Sequence, residues 1–307
     1  MKTQLTAIMK TYSNSPLTDY IKPQKFFMPF EYIDDQECSI KCTNEGHIKI
    51  DVEILLGKSC LEGDFTPPFT RENVEYLIFR EEFYARIYDI NFAMQIANPG
   101  KVAFNEVLIL QDGKPCEYLK VNPMTPPYVV EYTFDEEINP KVDWIETFDW
   151  LVVWDWLREI PDFWREVAQS NIGRVFNYLR YFYNESSPLG IVWLSMSLES
   201  LLVTNQSFSK NQLAGKLTLL LHDIFDKKYI VSNVEDFYKL RSKIVHGKQN
   251  LSRPSQIHYT SETESIDDKF LKIGSFGYLS LLYCLQFMIN EGINELNIIE
   301  EIIYRFT

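Results

Sequence analysis

The sequence predicts an α+β protein in which an antiparallel β-rich N-terminal domain precedes an all-α helical bundle. Apolar and polar residues alternate from His47 to Ile54, which is typical of a half-buried strand. In the second half, apolar residues recur at three- and four-residue spacings, which is typical of amphipathic helices. The chain has 307 residues, 46% of them hydrophobic, which is enough for two domains with separate cores.

The first predicted domain, residues 1–140, consists of strands separated by turn-forming residues. Gly57 closes the strand that begins at His47, and this histidine is interpreted as an ordinary residue at a strand start. The pattern favours a compact antiparallel domain, such as a sandwich, that ends near Pro140. Further strands are predicted at Glu75 to Phe79, Phe83 to Tyr88, Lys101 to Leu110 and Pro127 to Phe134.

The second segment, residues 141–188, is predicted to be a helical connector rich in aromatic residues. Aromatic side chains at helical spacing usually fill a core or an interface, and the alternative is that nucleic-acid bases stack on them. Pro161 is expected to start or break a helix. The aromatic residues are Trp144, Phe148, Trp150, Trp154, Trp156, Phe163, Trp164, Phe176, Tyr178, Tyr181, Phe182 and Tyr183.

The third segment, residues 189–307, is predicted to be an antiparallel helical bundle. A polar stretch from Arg253 to Ile266, rich in Ser, Thr and Pro, is expected to be a mobile loop. The predicted helices are Leu189 to Val203, Lys210 to His222 with Ser209 as cap, Val234 to His246 with Ser232 or Asn233 as cap, Asp268 to Asn290, and Ile293 to Phe306.

The composition predicts a cytoplasmic protein that holds no metal and spans no membrane. The five cysteines are odd in number and scattered, so no disulfide framework is expected. Cys38, Cys42, His47 and Cys60 fit no standard zinc template, and we expect reduced cysteines, with a zinc site as the alternative. No stretch approaches the roughly eighteen apolar residues of a membrane-spanning helix.

The charge of the chain is acidic overall and unevenly distributed. A net charge of −13 argues against a protein that coats nucleic acid non-specifically. Residues 1–140 contain 13 basic and 22 acidic residues, whereas Lys210 to Arg253 contains 9 basic and 4 acidic ones. A solvated helix face and a track for phosphate groups explain this basic cluster equally well.

The predicted helix that ends at Val245-His246-Gly247 carries the most distinctive chemistry. A glycine just past the last turn is the usual stop signal, so His246 lies at the helix end whose dipole favours a protonated side chain. Arg241 precedes it by five residues, which is about 140° around an ideal helix. The two side chains converge only if the last turn is distorted or a second chain supplies one of them. Without further context, a surface pair stabilised by the helix dipole explains them.

The stretch from Phe237 to Gly247, with Leu198-Glu199-Ser200-Leu201-Leu202 upstream, resembles the Apea-like branch of the HEPN superfamily. HEPN proteins share an Arg followed after four to six residues by a His, and the spacing here is Arg-x4-His. The resemblance covers roughly Leu189 to Thr307. The residue after the Arg is often Asn, Asp or His in the family and is Ser242 here.

The resemblance implies a metal-independent endoribonuclease without cofactors that acts as a homodimer in bacterial antiviral defence or a toxin-like system. RNA carries its own nucleophile, so cleavage needs a base, an acid and a cation for the phosphorane, and leaves 2′,3′-cyclic phosphate and 5′-hydroxyl ends. The implied catalytic residues are Arg241 and His246, the supporting residues are Ser242, Glu199 and Lys243, and the RNA-binding residues are Lys239, Lys248 and Arg253.

Two alternatives remain at this point. Some HEPN domains are non-catalytic modules for RNA binding or dimerisation. In a third class, the β-rich domain recognises a protein or small-molecule trigger and the bundle only dimerises. Because residues 1–140 are acidic and should repel RNA, we assign specificity or control to that domain in every case.

Overall fold

The structure is a computed structural model that describes residues 2–11, 21–31, 33–45, 47–56, 70–101, 104–117, 128–134, 142, 144–164, 167–185, 188–204, 206–251, 260–296 and 298. The chain divides into two compact units. The first unit contains Met1–Pro126 and Thr147–Arg158, and the second contains Pro127–Glu146 and Glu159–Thr307. The residues of the predicted connector are therefore shared between the two units, because the chain returns to the first unit for one helix.

The described strands of the first unit form one antiparallel sheet with the order β2-β3-β4-β1-β5-β6. The predicted strand at His47 to Ile54 is confirmed as β4, whose alternate residues Ile48, Ile50, Val52 and Ile54 are buried. β1 lies in the middle and pairs with β4 and β5. The strands are β1 (Lys2–Thr11), β2 (Gln24–Met28), β3 (Gln36–Cys42), β4 (Ile48–Leu55), β5 (Phe104–Gln111) and β6 (Lys114–Glu117).

The strands predicted at Glu75 to Phe79 and Phe83 to Tyr88 are wrong, because both stretches belong to the long helix α1 (Arg71–Ala97). The side chain of Thr70 caps this helix by accepting a hydrogen bond from the Asn73 N–H. A helix with one apolar stripe replaces the second layer of the predicted sandwich, and it contacts β1. The buried stripe has helical spacing and consists of Phe79, Phe83, Ile87, Ile90 and Met94.

A short helix from the middle of the chain, α3 (Trp150–Arg158), completes the first unit and contacts α1. Its indole rings Trp150 and Trp154 pack edge-to-face on Phe26 of β2, with centroid distances of 5.3 and 5.9 Å. The Trp154 N–H also donates to the Phe27 carbonyl at 2.9 Å. These aromatic residues are core residues, which agrees with the favoured interpretation of the aromatic segment.

The second unit is a helical bundle in which α5 contacts α4, α6, α7 and α8. This central position explains why Leu194 and Leu198 of α5 are fully buried. Pro161 lies in the turn between α3 and α4, as predicted. The helices of this unit are α2 (Tyr128–Thr133), α4 (Asn171–Tyr183), α5 (Gly190–Leu202), α6 (Ser209–Leu221), α7 (Lys227–Val245) and α8 (Ser261–Glu291).

Three predicted boundaries in this unit are wrong. The stretch predicted as a strand from Pro127 to Phe134 contains the helix α2, and a hydrogen bond of 2.7 Å joins its Thr133 hydroxyl to the Ser275 hydroxyl of α8. Helix α8 already begins at Ser261, so residues 261–266 are helical, and residues 252–259 lie outside the described residues. Of the predicted last helix, residues 293–296 are not helical, since Gly292 ends α8 with a φ of 63°.

Two predicted helix caps are also wrong. Helix α7 begins at Lys227 and not at Val234, about two turns earlier than expected, and Asp226 caps it by accepting a hydrogen bond from the Tyr229 N–H at 2.8 Å. The buried Ile230 extends the apolar stripe upstream, so Ser232 and Asn233 lie inside the helix. Helix α6 begins at Ser209 without a side-chain cap because a 3₁₀ turn leads directly into it.

Among the described helices, residues Glu264–Glu291 of α8 have the length and the mean hydropathy, 1.2, of a membrane-crossing helix. However, 72% of that apolar stretch is buried inside the protein. Its contacts with α2, α5 and α7 are those of a core helix.

Candidate functional site

The C-terminus of α7 has the geometry that the sequence predicts. Gly247 adopts a φ of 63°, its N–H donates to the Ile244 carbonyl at 3.1 Å, and the Lys248 N–H donates to the Lys243 carbonyl at 2.8 Å. These two bonds form a Schellman motif, which requires a positive φ and therefore favours glycine. His246 is the capping residue, and its side chain is exposed and forms no hydrogen bond or ion pair within the described residues.

Arg241 lies in a different environment, on the side of α7 that faces α5. Its guanidinium is one-third exposed and lies 3.9 Å from the carboxylate of Glu199 on α5. The same carboxylate accepts a hydrogen bond from the Ser195 hydroxyl at 3.2 Å. The Arg241 Nε atom is buried and has no acceptor. Glu199 therefore pairs with Arg241, and not with Lys243, which is exposed.

Arg241 borders a cleft of about 650 Å³ between α4, α5 and α7. A second guanidinium, that of Arg174 on α4, lines the same cleft and is held by the Gln169 carbonyl at 2.7 Å. Two arginines on one cleft provide fixed, forked donors of the kind that bind phosphate groups, and Glu199 offsets part of their charge. The lining residues are Asn171, Arg174, Tyr178, Met196, Glu199, Ser200, Val203, Ser209 and Arg241.

Three aromatic rings stack beside this cleft. Trp193 of α5 lies nearly parallel to Tyr181 of α4, with centroids 4.9 Å apart, and nearly parallel to Tyr178, with centroids 6.3 Å apart. Tyr178 lines the cleft, and Tyr181 is 59% exposed. Unlike most aromatic residues of the predicted connector, which are buried, this stack offers ring surface to a planar ligand.

Tyr238 of α7 lies where this helix packs against α5. Its hydroxyl is buried near Glu199 and Ser209 without a hydrogen bond of standard geometry. Burial raises the pKa of Tyr238, and the negative charge of Glu199 raises it further. The phenol is therefore neutral at physiological pH and is not a candidate base.

Apart from Glu199 and Arg253, the predicted RNA-binding and supporting residues are dispersed over the exposed side of α7 and the turn that follows it. Lys239 is exposed and pairs with Asp236 at 3.6 Å, whereas Ser242, Lys243 and Lys248 are exposed and make no side-chain hydrogen bond or ion pair within the described part of the chain. Arg253 lies outside the described residues. This part of the basic cluster is solvated, as one of the two sequence interpretations holds.

The described residues contain no group of three or more His, Cys, Asp or Glu side chains that could hold a metal ion. Cys38 and Cys42 are free thiols on β3, and burial raises the pKa of each. Cys60, the fourth member of the alternative zinc set, lies outside the described residues.

No protein-family model, curated protein or solved structure matches this chain. The HEPN resemblance therefore stays a prediction that rests on the motif at the end of α7.

The structure brings Arg241 and Glu199 together but does not bring His246 to them. No hydrogen bond or ion pair joins Arg241 and His246, and His246 does not line the cleft that Arg241 borders. The sequence interpretation missed Arg174 and Trp193. For Arg174 a signal was present, because Arg174 and Tyr178 are four residues apart and share one face of a helix.

Proposed function

We propose that this protein is a metal-independent endoribonuclease of the HEPN type, with Arg241 and His246 in the catalytic roles. His246 takes the 2′-hydroxyl proton and returns a proton to the leaving 5′-oxygen, while Arg241 stabilises the charge on the phosphorane. The bond between phosphorus and the 5′-oxygen breaks as the bond to the 2′-oxygen forms. The products carry 2′,3′-cyclic phosphate and 5′-hydroxyl ends.

One observation carries this proposal. An exposed histidine without a partner among the described residues ends the same helix that holds a partly buried arginine at the edge of an open cleft. A histidine can exchange protons with a substrate only if its ring is accessible, and the side chain of His246 is exposed. The second arginine and the aromatic stack support RNA as the ligand of the cleft.

The separation of Arg241 from His246 favours an active homodimer. In one chain His246 does not line the cleft that Arg241 borders, so we infer a composite site that takes the arginine of one chain and the histidine of another. The proposed dimer therefore packs through the helical unit. We expect the protein to act in the cytoplasm, in bacterial antiviral defence or in a toxin-like system, and we expect the first unit to respond to a protein or small-molecule trigger.

The proposal is tested by digestion of end-labelled RNA with EDTA present. We expect the full chain to produce cyclic phosphate ends and both Arg241→Ala and His246→Ala to lose at least about a hundredfold in rate. Lys228→Ala, which removes an exposed charge from the first turn of the same helix, is the matched control and should stay within about threefold. Cleavage that survives in both variants, or that needs added magnesium, contradicts the mechanism.

A second candidate function is a non-catalytic RNA-binding or dimerisation module. It is favoured by the pairing of Arg241 with Glu199, which engages the arginine without help from His246. In that case the chain binds RNA without cleaving it, and His246→Ala leaves the affinity unchanged while Arg241→Ala weakens it.

A further inference from the structure

A second cavity in the helical unit, of about 880 Å³, lies at the start of α4 and shares Asn171 and Val203 with the lining of the proposed cleavage cleft. Its volume is that of a site for a small organic molecule. Polar and apolar residues both line it, including Asn171 and Ile172 of α4, Lys216 of α6 and Leu296 near the C-terminus. A mixed lining of this kind is typical of ligand sites.

The decisive feature of this cavity is Lys216. The residue is 5% exposed, and its ammonium group makes no hydrogen bond or ion pair within the described residues. The Lys216 nitrogen is not among the fully buried side-chain atoms that lack a partner, so the buried stem carries the ammonium group to the open cavity. In the sequence, Lys216 belongs to the basic cluster that a solvated helix face and a phosphate track explain equally well. In the structure it lies on the cavity wall, where its positive charge has no partner within the described residues.

The N-terminus of α4 contributes to the same wall. The amide N–H groups of Asn171 and Ile172, the first two residues of the helix, donate no hydrogen bond within the described residues. The next amide, that of Gly173, is already bound by the Ser170 hydroxyl at 3.0 Å. Free N–H groups at the positive end of a helix dipole bind anions.

Two acidic residues also line the cavity, and neither satisfies Lys216. The Asp162 carboxylate accepts hydrogen bonds from the N–H groups of Gln169 and Ser170, each at 2.7 Å, and from the Ser170 hydroxyl at 2.5 Å. Its charge is therefore compensated locally. Glu295 is exposed to solvent. The remaining uncompensated groups are the ammonium of Lys216 and the two amides of α4, and all of them favour negative charge.

We propose that this cavity binds a small molecule through one anionic group, a phosphate or a carboxylate, held by Lys216 and the N-terminus of α4. The apolar residues Ile172, Leu201 and Leu296 contact the uncharged part of the ligand. This inference does not depend on the ribonuclease activity, because the groups that hold the anion, the Lys216 ammonium and the backbone amides of α4, have no part in the proposed cleavage mechanism.

Thermal unfolding of the full chain in inorganic phosphate, in acetate and in sodium chloride at equal ionic strength tests the proposal and distinguishes the two anionic groups. We expect phosphate or acetate to raise the melting temperature saturably above the chloride value, since binding to the folded state stabilises it. Lys216→Met should lower the affinity for that anion at least about tenfold. In chloride alone, Lys216→Met should melt at the same temperature as the parent chain or higher, because it removes no hydrogen bond or ion pair within the described residues.

Two further variants complete the test. Lys228→Met removes an exposed lysine from α7 and should leave the anion response unchanged. Asn171→Pro removes one amide donor at a position where proline is tolerated, since Ser170 before it is already extended with a ψ of 163°. Asn171→Pro should lower the affinity for the anion about threefold or more. Absence of any shift beyond chloride, or a shift that Lys216→Met and Asn171→Pro both retain, overturns the proposal.

Discussion

Asp162 organises the start of α4 by accepting three hydrogen bonds, from the N–H groups of Gln169 and Ser170 and from the Ser170 hydroxyl. Burial by itself raises the pKa of Asp162, but these hydrogen bonds favour the charged form and outweigh it, so the pKa lies below its ordinary value. Because the pKa of Asp162 is lower in the folded state than in the unfolded state, its ionised carboxylate stabilises the folded protein at pH values above the ordinary pKa. That stabilisation is lost as the pH falls through the folded-state value.

We predict that Asp162→Asn lowers the free energy of unfolding by about 1–3 kcal/mol at pH 7, because an amide replaces a charged acceptor. The difference from the parent chain should narrow below about pH 4, where the aspartate itself becomes protonated. Urea unfolding at pH 7 and pH 3 measures both values. Asp155→Asn, at an exposed position on α3, is the control and should change little. Equal differences at both pH values would show that the charge of Asp162 is not responsible.

Replacing Glu199 distinguishes two possible roles of its carboxylate at the proposed cleavage site. The carboxylate either competes with RNA for Arg241 or orients the Arg241 guanidinium. Glu199→Gln removes a negative charge 3.9 Å from the Arg241 guanidinium. We predict an RNA affinity that rises about two- to fivefold, since a partly exposed ion pair contributes up to about 1 kcal/mol. Fluorescence anisotropy with an RNA oligonucleotide, in a His246→Ala background that prevents cleavage, measures it.

The matched control for Glu199→Gln is Glu235→Gln, which removes the same charge from an exposed pair with Lys210. It should leave the affinity within about twofold. If Glu199→Gln weakens RNA binding instead, then Glu199 orients the Arg241 guanidinium. In that case the carboxylate does not compete with the RNA phosphate for Arg241.

At the scale of secondary-structure elements, helix α4 packs closely against the loop that precedes it, and Gly173 lies at the point of contact. A Cβ added at this position would lie 2.6 Å from the carboxyl atoms of Asp162. Asp162 cannot move away without breaking its hydrogen bonds to Gln169 and Ser170. The close approach of helix and carboxylate therefore requires glycine, although glycine lowers the intrinsic stability of a helix.

We predict that Gly173→Ala destabilises the protein by about 1–3 kcal/mol, against the gain of up to about 1 kcal/mol that the same change gives in an unhindered helix. Gly190→Ala is a graded control, because its Cβ would lie 3.3 Å from the Phe182 ring, which has more room to adjust. Chemical denaturation of the three proteins measures the order. A Gly173→Ala variant more stable than its parent would contradict the geometry at this helix start.

The sequence predicts those elements whose signal is local. The strand β4 and the C-terminus of α7 are predicted correctly because alternation and a C-terminal glycine act over a few residues. Helix α1 is missed because its aromatic and branched residues resemble strands, and the stripe from Phe79 to Met94 is visible only over sixteen residues. The packing of α4, α5 and α6 determines the positions of Arg174 and Trp193 and the burial of Lys216. A local sequence pattern does not predict this packing.

At the scale of the whole molecule, the two units are not consecutive segments. Helix α2 precedes the aromatic segment and belongs to the helical unit, where its Thr133 bonds to Ser275 and its Val129 covers Gly274 of α8. Helix α3 lies later in the chain and belongs to the unit with the sheet. A cut near residue 140, where the sequence suggests a boundary, therefore removes one helix from the bundle.

We predict that a chain beginning at Lys141 melts at least about 10 °C below the full chain or aggregates, because Ser275 and the buried side of α8 lose α2. A chain beginning at Pro127 retains α2 and should melt at a higher temperature than the shorter one. Both keep α3 without its sheet, so the comparison isolates α2. Identical melting temperatures for the two shortened chains would contradict the assignment of α2 to the bundle.

The central claim is that Arg241 of one chain and His246 of another act on the same phosphate. Arg241→Ala and His246→Ala chains, each inactive alone, are mixed, allowed to exchange subunits and assayed on labelled RNA in EDTA. Half of the dimers are then mixed and each retains one intact pair, so we expect roughly a quarter of the parent activity to return. An active parent whose two variants stay inactive in a mixture shown to contain mixed dimers would contradict the shared site.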